Sequence, residues 1–475
     1  MAPKKLHYII PVLCVLVYLL FPTANSSVDS WGYAADIKWS TDLFAPHHLL
    51  YNAWGWLIHQ LIRVDTLSLM KALNALVAAG CVATLGSILA KRKVADEMVI
   101  GWMLFAGGSF GVMRFATENE TYLVPLLISL LASRIVLMQG SRIGAIALMA
   151  GFLAAGACLF HQLHVWWWLG LLLFCLFTKS RKEAFLYALP AILVPLVYAA
   201  VLYQKSEQVP SVSAFMSFVL HDFSREGVQV DLGLKSLFLT PVSLFRTFFQ
   251  VHGSVFLFLK KMPWLWLTAG LTAFCLGKGL LRRWPVTFRK GPGDAYQKAH
   301  GAILIMHLGF AMLSHGNAEF MVMIPFLIPI VNGWSFRFNP KTIIWLAAAF
   351  WVWNLSLDII PRSRVSLYDF DTTVTYLHRH PEAALVPADK HQIANRYFYS
   401  YHKTVYHRLY ALGDSAVCDW NGPLVSDMPD RPLLLSREAF LTMLPGKGLE
   451  TKRRVKTLQG YEREYGLWEI DKKCE

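Results

Sequence analysis

Acidic and histidine residues stand directly beside long apolar runs at four separate places in the chain: Asp29, Glu118 with Glu120, His161, and Glu319. Carrying an ionisable group to membrane depth costs roughly 2.5 to 3.5 kcal/mol on insertion scales, so such groups usually mark a functional cavity. When the apolar runs are counted as membrane crossings, all four places fall on the same face of the membrane. This convergence predicts one polar functional site there.

Asp29 lies a few residues after the first apolar run, in the sequence Val-Asp-Ser-Trp-Gly-Tyr of residues 28–33. A carboxylate held there, partly desolvated beneath an outer loop, could act as a general base toward an incoming hydroxyl or amine. The alternative is a helix-flanking or turn-forming residue, because aspartate is common in turns.

Glu118 and Glu120 stand where the third apolar run ends, with Asn119 between them and Arg114 just before. Two carboxylates one residue apart can share a divalent cation with a phosphate or diphosphate, or can orient an acceptor. They can equally form a solvated cap, since acidic residues suit the N-terminus of the helix that follows.

Two histidine pairs flank the same face of the membrane. His161 and His164 occupy the turn between the fifth and sixth apolar runs, and His47 and His48 open a predicted surface helix. A spacing of three could present both rings of the first pair to one metal, but two histidines make an incomplete zinc site. A contact of His161 with phosphate or sugar is the preferred interpretation, and an interfacial hydrogen-bonding turn is the alternative.

Glu319 lies in an outer turn, two residues after Asn317, where another helix begins. It either faces the cavity or caps that helix. Arg225, in a long outer loop, could hold a donor phosphate because a guanidinium favours bidentate contact, or the loop could be a mobile solvated cover. The sequence therefore predicts Asp29, Glu118 and Glu120 as catalytic. The four histidines, Arg225 and Glu319 are predicted to bind substrate, and no metal ligand is assigned.

These residues need a membrane scaffold to position them. The chain has 475 residues, of which 55% are hydrophobic and 16% charged, and its mean hydropathy is +0.41. That composition excludes an ordinary soluble globular protein and predicts an all-α polytopic membrane protein. About 20 apolar residues make one crossing. About eleven crossings are predicted, near residues 8–24, 67–90, 98–116, 121–138, 143–160, 164–178, 184–203, 262–281, 299–315, 319–335 and 341–360.

The formal net charge of +14 reports topology. The Lys and Arg clusters lie in short connections between apolar runs, which is the positive-inside pattern of cytoplasmic loops. The first crossing then runs outward from Lys4, and the four polar places lie on the outer face. We therefore expect membrane lipids as partners and no nucleic acid, although a basic balance can also serve nucleic-acid binding.

Two outer loops are predicted to be long, at residues 25–66 and 204–245. Residues 46–62 show the apolar spacing and tryptophans of an amphipathic helix on the outer surface. Residues 241–260 are interpreted as a re-entrant or interfacial element, because a twelfth crossing would move the basic 278–298 loop outside.

Residues 361–475 turn polar and are predicted to form a small α+β domain outside the membrane, with strands near 431–436 and 466–470. Five cysteines lie in apolar runs and are predicted to be core residues. Cys418 and Cys474 lie in the polar tail, where a disulfide could form.

The order of these features resembles the GT-C superfamily of glycosyltransferases over roughly residues 1–360. The shared features are a first helix, an outer loop opening with an acid and aromatics, a surface helix, and an acidic pair after the third helix. The resemblance implies a lipid-phosphate-linked sugar donor and implies that Asp29 is the catalytic or acceptor-activating residue. It also makes Glu118 and Glu120 the second acidic motif. This chain has Asp-Ser-Trp where many members have paired acids.

The function implied is transfer of a sugar from a polyprenyl-phosphate donor to a lipid, glycan or protein acceptor at the outer face. The sugar would be transferred with inversion at the anomeric carbon. The sequence does not identify a cofactor, and a divalent cation is one possibility. No nucleotide would be needed, and no Gly-rich phosphate loop is found. The expected location is a bacterial inner membrane with the site facing the periplasm, and an endoplasmic reticulum membrane is the alternative. A flippase or transporter of lipid-linked saccharides and a non-catalytic assembly subunit are the rival functions.

Overall fold

The computed structural model describes most of the chain. The described residues are 3–138, 143–207, 209, 211–221, 233–251, 254–281, 286–288, 293–332, 336–367, 370–411, 414–427, 449–460 and 463–472. Arg225, Cys474 and the predicted strand at 431–436 lie outside these residues. The pairing of Cys418 with Cys474 therefore stays a prediction.

Helices dominate the described part of the chain. In chain order they are α1 (Pro3–Leu20), α2 (Val28–Trp39), α3 (Tyr51–Leu61), α4 (Thr66–Lys91), α5 (Asp96–Gly108), α6 (Phe110–Ala116), α7 (Leu123–Ile135), α8 (Ile143–Phe160), α9 (Val165–Thr178), α10 (Arg181–Ala188), α11 (Leu193–Ser206), α12 (Val212–Val219), α13 (Leu234–Phe248), α14 (Ser254–Lys261), α15 (Leu265–Leu280), α16 (Ala295–Leu313), α17 (Ile324–Val331), α18 (Pro340–Asn354), α19 (Ile360–Arg364), α20 (Phe370–Arg379) and α21 (Lys390–Tyr401). The strands are β1 (Val286–Phe288), β2 (Phe336–Phe338), β3 (Ala384–Val386), β4 (Leu424–Ser426), β5 (Leu449–Gly460) and β6 (Arg463–Lys472).

The chain divides into two compact units. The helical unit comprises Met1–Pro22, Leu43–Leu57 and Ser68–Pro361. The mixed unit comprises Thr23–Asp42, Ile58–Leu67 and Arg362–Glu475.

Three helical stretches of the described chain are long and apolar enough to cross a membrane: Thr66–Lys91, Arg181–Ser206 and Pro340–Arg364. The pair α5 and α6, bent by 61°, makes a fourth if it is one span. These stretches coincide with the predicted crossings at 67–90, 184–203, 341–360 and 98–116. Shorter apolar helices occupy several other predicted crossings, and the total of eleven stays a prediction.

The bend between α5 and α6 lies shortly before the acidic segment, residues 117–121, in the chain. Gly108 lies against Trp351, whose Cδ1 would be 2.5 Å from a Cβ added at Gly108, so only glycine permits this approach. The Gly108 carbonyl, near the bend, accepts a 2.8 Å hydrogen bond from the Asn354 side chain. Where a helix breaks inside an apolar core, a backbone carbonyl loses its helical N–H donor and needs a hydrogen bond from another group.

The core of the helical unit is built from apolar side chains of helices α1, α4, α5, α7, α9 and α18. Five cysteines, Cys14, Cys81, Cys158, Cys175 and Cys275, are buried and free. The prediction that they are core residues is confirmed.

Both predicted outer loops contain helices. Residues 25–66 include α2 as well as the expected helix at α3, and residues 204–245 include α12 and most of α13. The predicted element at 241–260 is two helices, because α13 ends at Phe248 and α14 begins at Ser254. Helix α2 was not predicted. Ser27 caps its start, since the Ser27 side chain accepts a hydrogen bond from the Ser30 N–H.

The mixed unit contains a four-stranded sheet in the order β3-β4-β6-β5. Strands β3 and β4 are parallel, and the other pairings are antiparallel. Residues 466–470 lie within β6. Helix α21 lies between the parallel strands in the chain.

Helix α2 packs on α21 within the mixed unit. The side chains of Gln392 and Asn395 donate hydrogen bonds of 2.8 Å to the Ser26 carbonyl and 3.0 Å to the Val28 carbonyl. At the other end of α2, the Trp39 indole donates a 3.0 Å hydrogen bond to the Phe398 carbonyl. These bonds fix both ends of α2, the helix that carries Asp29.

Candidate functional site

The acidic segment 117–121 is buried in the helical unit. Glu118 is 4% exposed and Glu120 is 3% exposed. A solvated cap would be open to water, so that interpretation of the pair is wrong. Burying a carboxylate costs free energy unless neighbouring groups compensate its charge. Buried acidic pairs in a membrane protein are therefore typical of a functional site.

Asn74, on α4, holds this segment through its backbone. Its buried side-chain amide donates 2.8 Å hydrogen bonds to the carbonyl oxygens of both Glu118 and Glu120. A side-chain amide has two N–H donors, and Asn74 donates to both glutamate carbonyls. The two acidic residues therefore keep a fixed backbone spacing.

Tyr51, on α3, holds the residue between them. Its hydroxyl donates a 2.8 Å hydrogen bond to Oδ1 of Asn119, and Tyr51 and Asn119 are both fully buried. The backbone N–H of Asn119 donates in turn to Oε1 of Glu118 at 3.1 Å. The segment is thus ordered by hydrogen bonds from two helices that are separated from it in sequence.

Tyr122 links the acidic segment to two other predicted places. Its hydroxyl donates a 3.1 Å hydrogen bond to Oε2 of Glu319, and its ring centroid lies 5.0 Å from that of His161. The turn that carries Glu319 is shaped by Asn317, whose Oδ1 accepts the Glu319 N–H at 3.0 Å. The structure therefore brings the second, third and fourth predicted places together in the helical unit.

Two arginines flank Glu319, and sequence reasoning did not assign either to the site. Nη2 of Arg114 lies 3.5 Å from Oε1 of Glu319. Arg246, in the last turn of α13, lies close enough to Arg114 and Glu319 to interact electrostatically with both. Its buried Nε has no hydrogen-bond partner among the described residues. Two guanidinium groups against one carboxylate leave an excess of positive charge. Arg246 was missed because the region around it was interpreted only as a membrane-interface element.

The histidines at 47, 48 and 161 form a cluster beside this site. The ring centroids of His47 and His48 are 4.0 Å apart, and those of His47 and His161 are 6.5 Å apart. Nδ1 of His161 accepts the Leu163 N–H at 3.2 Å, so its neutral ring carries the proton on Nε2. That N–H can donate to a substrate oxygen.

Burial favours the neutral form of two of these imidazoles, His48 and His161. Burial, with His47 and His161 nearby, holds the pKa of His48 well below its usual range, and burial beside His47 and His307 lowers the pKa of His161 to about 3. A neutral histidine offers a hydrogen bond and no charge to a phosphate.

His164 makes a different hydrogen bond from His161. Its Nδ1 lies 2.8 Å from the Ser129 hydroxyl, and its ring contacts that of His307 at a centroid distance of 6.2 Å. Within the described residues, no group of three or more His, Cys, Asp or Glu side chains is arranged to hold a metal ion.

Asp29 lies in the first turn of α2, in the mixed unit. Its carboxylate is exposed, which differs from the expected partly desolvated group beneath a loop. The first turn of a helix favours an acidic side chain, because the partial positive charge of the helix N-terminus stabilises it. The Asp29 side chain is therefore reachable from solvent.

An apolar cavity of about 400 Å³ lies beside the histidine turn. It is lined mainly by apolar side chains of α8, α11 and α12, with Gln162 and Tyr198 as polar members. The Gln162 amide donates to the Tyr198 hydroxyl at 3.0 Å and to the Val219 carbonyl at 2.8 Å. The cavity can accept an apolar chain that lies next to His161.

Comparisons of sequence with family models and with curated proteins found no match. Solved structures do match. ArnT from Cupriavidus metallidurans, solved with undecaprenyl phosphate, is similar with a TM-score of 0.56 at 10% identity, over 98% of both chains. The mycobacterial arabinofuranosyltransferase AftD gives 0.51 at 11% identity, over 100% of this chain and 40% of AftD. The Archaeoglobus fulgidus oligosaccharyltransferase gives 0.50 at 11% identity, over 89% of this chain and 69% of its own.

These three proteins are GT-C glycosyltransferases, and the chain has a GT-C-like fold. The resemblance noted from the sequence is confirmed at the level of the fold. The fold and the apolar helices together describe an integral membrane protein.

Proposed function

We propose that this protein is a membrane glycosyltransferase that moves a sugar from a polyprenyl-phosphate donor to an acceptor, with Asp29 as the general base. The observation that carries the proposal is the buried acidic segment with Arg114 and Arg246 nearby, in a GT-C-like fold. Undecaprenyl phosphate in the ArnT structure supports the class of donor. The acceptor class, whether lipid, glycan or protein, stays open.

The donor phosphate is assigned to the arginines. Arg114 and Arg246 carry permanent positive charge, and guanidinium groups bind phosphate oxygens through paired N–H donors. Glu319 keeps Arg114 in place and is partly exposed at 29%. Nε2–H of His161 adds a neutral donor, and the apolar cavity beside Gln162 takes the first part of the lipid chain.

Glu118 and Glu120 are assigned to the sugar. Carboxyl oxygens accept hydrogen bonds from hydroxyl groups, and fixed acceptors orient a pyranose or furanose ring. Their electrostatic effect also favours the positive charge that develops at the anomeric carbon in the transition state. The hydrogen bonds of Asn74 and Tyr51 hold this geometry before substrate arrives.

The reaction exchanges one bond for another. Asp29 takes the proton of the acceptor hydroxyl or amine, and the acceptor atom attacks the anomeric carbon. The bond between that carbon and the phosphate oxygen breaks with inversion, and polyprenyl phosphate leaves as an anion. The arginines stabilise the charge of this leaving group. We place the reaction at the periplasmic face of a bacterial inner membrane.

The test is lipid mass spectrometry on cells that lack the protein and are complemented at matched membrane levels. Wild type, Asp29→Asn and the control Asp36→Asn are compared. Asp36 lies on the same helix, where its carboxylate binds the Thr41 hydroxyl near the helix end, 2.7 Å away. Accumulation of a polyprenyl-phosphate sugar that wild type and Asp36→Asn clear, and Asp29→Asn does not, supports the proposal.

Three outcomes contradict it. Clearance by Asp29→Asn equal to the wild type removes Asp29 as the base. If the donor accumulates on the cytoplasmic face and the purified protein transfers no sugar, the flippase function takes precedence. If no lipid-linked sugar accumulates at all, an assembly subunit explains the protein better.

A further inference from the structure

A second cavity, of about 960 Å³, lies in the helical unit at the ends of α4 and α7, far from the acidic segment. Its wall includes Ser87 and Lys91 of α4 and Arg134 of α7. Asn74 and Lys91 are both on α4, and a rise of 1.5 Å per residue separates them by about 25 Å. That distance approaches the hydrocarbon thickness of a membrane, about 30 Å. The cavity therefore lies near the opposite membrane face from the proposed donor site.

The cavity wall carries more positive than negative charge. Lys91, Lys93 and Arg134 line it, and Asp96 is the one carboxylate among the described lining residues. His7 Nε2 lies 3.8 Å from Oδ1 of Asp96, beyond hydrogen-bond distance. An excess of cations around a polar cavity selects an anionic ligand.

Arg134 is held in position at the wall. Its Nε donates a 2.8 Å hydrogen bond to the Ser87 hydroxyl across the two helices. An arginine fixed through Nε loses less rotamer entropy when its terminal nitrogens bind an anion. The positive-inside pattern accounts for exposed lysines at this face, but it requires neither a cavity nor a fixed guanidinium.

Helix α1 leads from this cavity along the outside of the helical unit. His7, Tyr8 and Pro11 of α1 line the cavity. From there an exposed apolar stripe continues at helical spacing, with Tyr8 78%, Val12 57% and Leu16 53% exposed. Long apolar side chains exposed in this way on a membrane helix contact lipid. The polar cavity and the apolar stripe are continuous at Tyr8.

We propose that this cavity binds the phosphate headgroup of an anionic glycerophospholipid whose acyl chains lie along the stripe on α1. Basic cavities between membrane helices on the cytoplasmic side have the chemistry to bind such headgroups. Arg134 binds the phosphate, together with Lys91 at the end of α4 and Lys93 just after it. The apolar stripe favours a lipid over a free phosphate as the ligand, because a soluble anion has no acyl chains to contact it. The site is independent of the transferase proposal.

The test is native mass spectrometry of the full-length protein in detergent, titrated with phosphatidylglycerol or phosphatidylcholine. The variants are Arg134→Gln and the double variant Lys91→Gln with Lys93→Gln. The control is Lys182→Gln, at an exposed lysine in the first turn of α10. The double variant changes only exposed side chains, so it remains informative if Arg134→Gln folds poorly.

We expect phosphatidylglycerol to bind at least tenfold more tightly than phosphatidylcholine. Each cation removed should weaken binding about fivefold, and Lys182→Gln should leave it unchanged. Glycerol 3-phosphate should not displace the lipid at equal concentration. Equal binding of the two lipids, displacement by glycerol 3-phosphate, or preference for polyprenyl phosphate over phosphatidylglycerol would each overturn the proposal.

Discussion

Tyr51 and Asn119 are joined by a 2.8 Å hydrogen bond from the Tyr51 hydroxyl to Oδ1 of Asn119, inside the helical unit and closed to water. The bond ties helix α3 to the residue between the two buried glutamates. A surface helix is thereby made part of the site's support. Removal of the hydrogen bond between Tyr51 and Asn119 should affect stability and catalysis together.

Tyr51→Phe removes the hydroxyl and keeps the ring. We expect the protein to lose about 1 to 2 kcal/mol of unfolding free energy, since a buried acceptor loses its donor. Transfer activity should also fall, because Asn119 becomes free to shift. Thermal unfolding in detergent checks the first effect, with Tyr203→Phe as the control on an exposed tyrosine of α11. Equal melting of the two variants would contradict a supporting role for Tyr51.

Asn74→Ala removes both hydrogen bonds to the glutamate carbonyls. Loss of a hydrogen bond at a buried carbonyl costs on the order of 1 to 3 kcal/mol. Asn74→Asp should be worse than Asn74→Ala, because it places a negative acceptor against two carbonyl oxygens. Melting temperatures should therefore fall in the order wild type, alanine, aspartate. An aspartate variant that melts with the wild type would show that the two bonds contribute little.

Arg246→Gln tests the assignment of the donor phosphate. Loss of a charge-assisted hydrogen bond of about 1.5 kcal/mol corresponds to roughly a tenfold weaker interaction. We expect KM for the lipid-linked donor to rise about tenfold with a smaller change in kcat. Arg181→Gln, at an exposed basic position in α10, serves as the control. An unchanged KM for Arg246→Gln would remove this residue from the phosphate site.

Gly316→Ala tests the turn that carries Glu319. Gly316 has φ of +69°, and an added Cβ would lie 2.7 Å from the backbone nitrogen of Thr240. Both the left-handed conformation and the clash disfavour alanine, and we expect a loss of at least about 1 kcal/mol. Gly309→Ala, in α16 with no atom within 4 Å of the added Cβ, should instead be neutral or stabilising. Matching effects from the two variants would contradict this account.

Asp427 gives the mixed unit a pH dependence. Burial, together with the nearby Asp389 carboxylate, raises the pKa of Asp427 from 3.8 to about 6 against the hydrogen bond from the Ala388 N–H. The folded protein thus holds this proton more tightly than the unfolded chain does. Its stabilising effect is complete below about pH 4 and is lost as the pH rises through 6, on the order of 3 kcal/mol in total.

Asp427→Asn should therefore stabilise the protein above pH 7 and change little near pH 4. Its amide oxygen can still accept the Ala388 N–H, and it carries no charge to repel Asp389. Melting temperatures of the variant and the wild type at pH 4, 6 and 8 check this. A constant difference across the three pH values would rule out titration of Asp427 as the cause.

The acidic segment and the histidine turns could be located from the sequence because they interrupt apolar runs. Burial of Glu118 and Glu120 could not be derived, since it depends on the side chains of Asn74 and Tyr51, which lie 44 and 68 residues away from their partners in the sequence. Long-range hydrogen bonds leave no periodic signal. The proximity of Arg246 to Arg114 and Glu319, which belong to other parts of the chain, leaves no periodic signal either.

Helix α2 shows the opposite difficulty. The segment after the first crossing contains glycine, serine and aspartate, which are typical of loops. Ser27 caps the helix, and packing of α2 on α21 stabilises it, so tertiary contacts outweigh local propensity. The GT-C resemblance was visible because it depends on the order of features along the chain rather than on any single element.

The packing of α2 on α21 also has a consequence for the order of synthesis. Ser26 and Gln392, which share a hydrogen bond, are 366 residues apart. At translation rates of about 5 to 20 residues per second, α2 waits about 20 to 70 s for its partner helix to be made. During that interval the helix bearing Asp29 has no lasting packing partner from α21, and the ribosome holds a nascent chain whose proposed base is not yet fixed. Under the proposed function, catalytic competence would be acquired only after α21 has been synthesised.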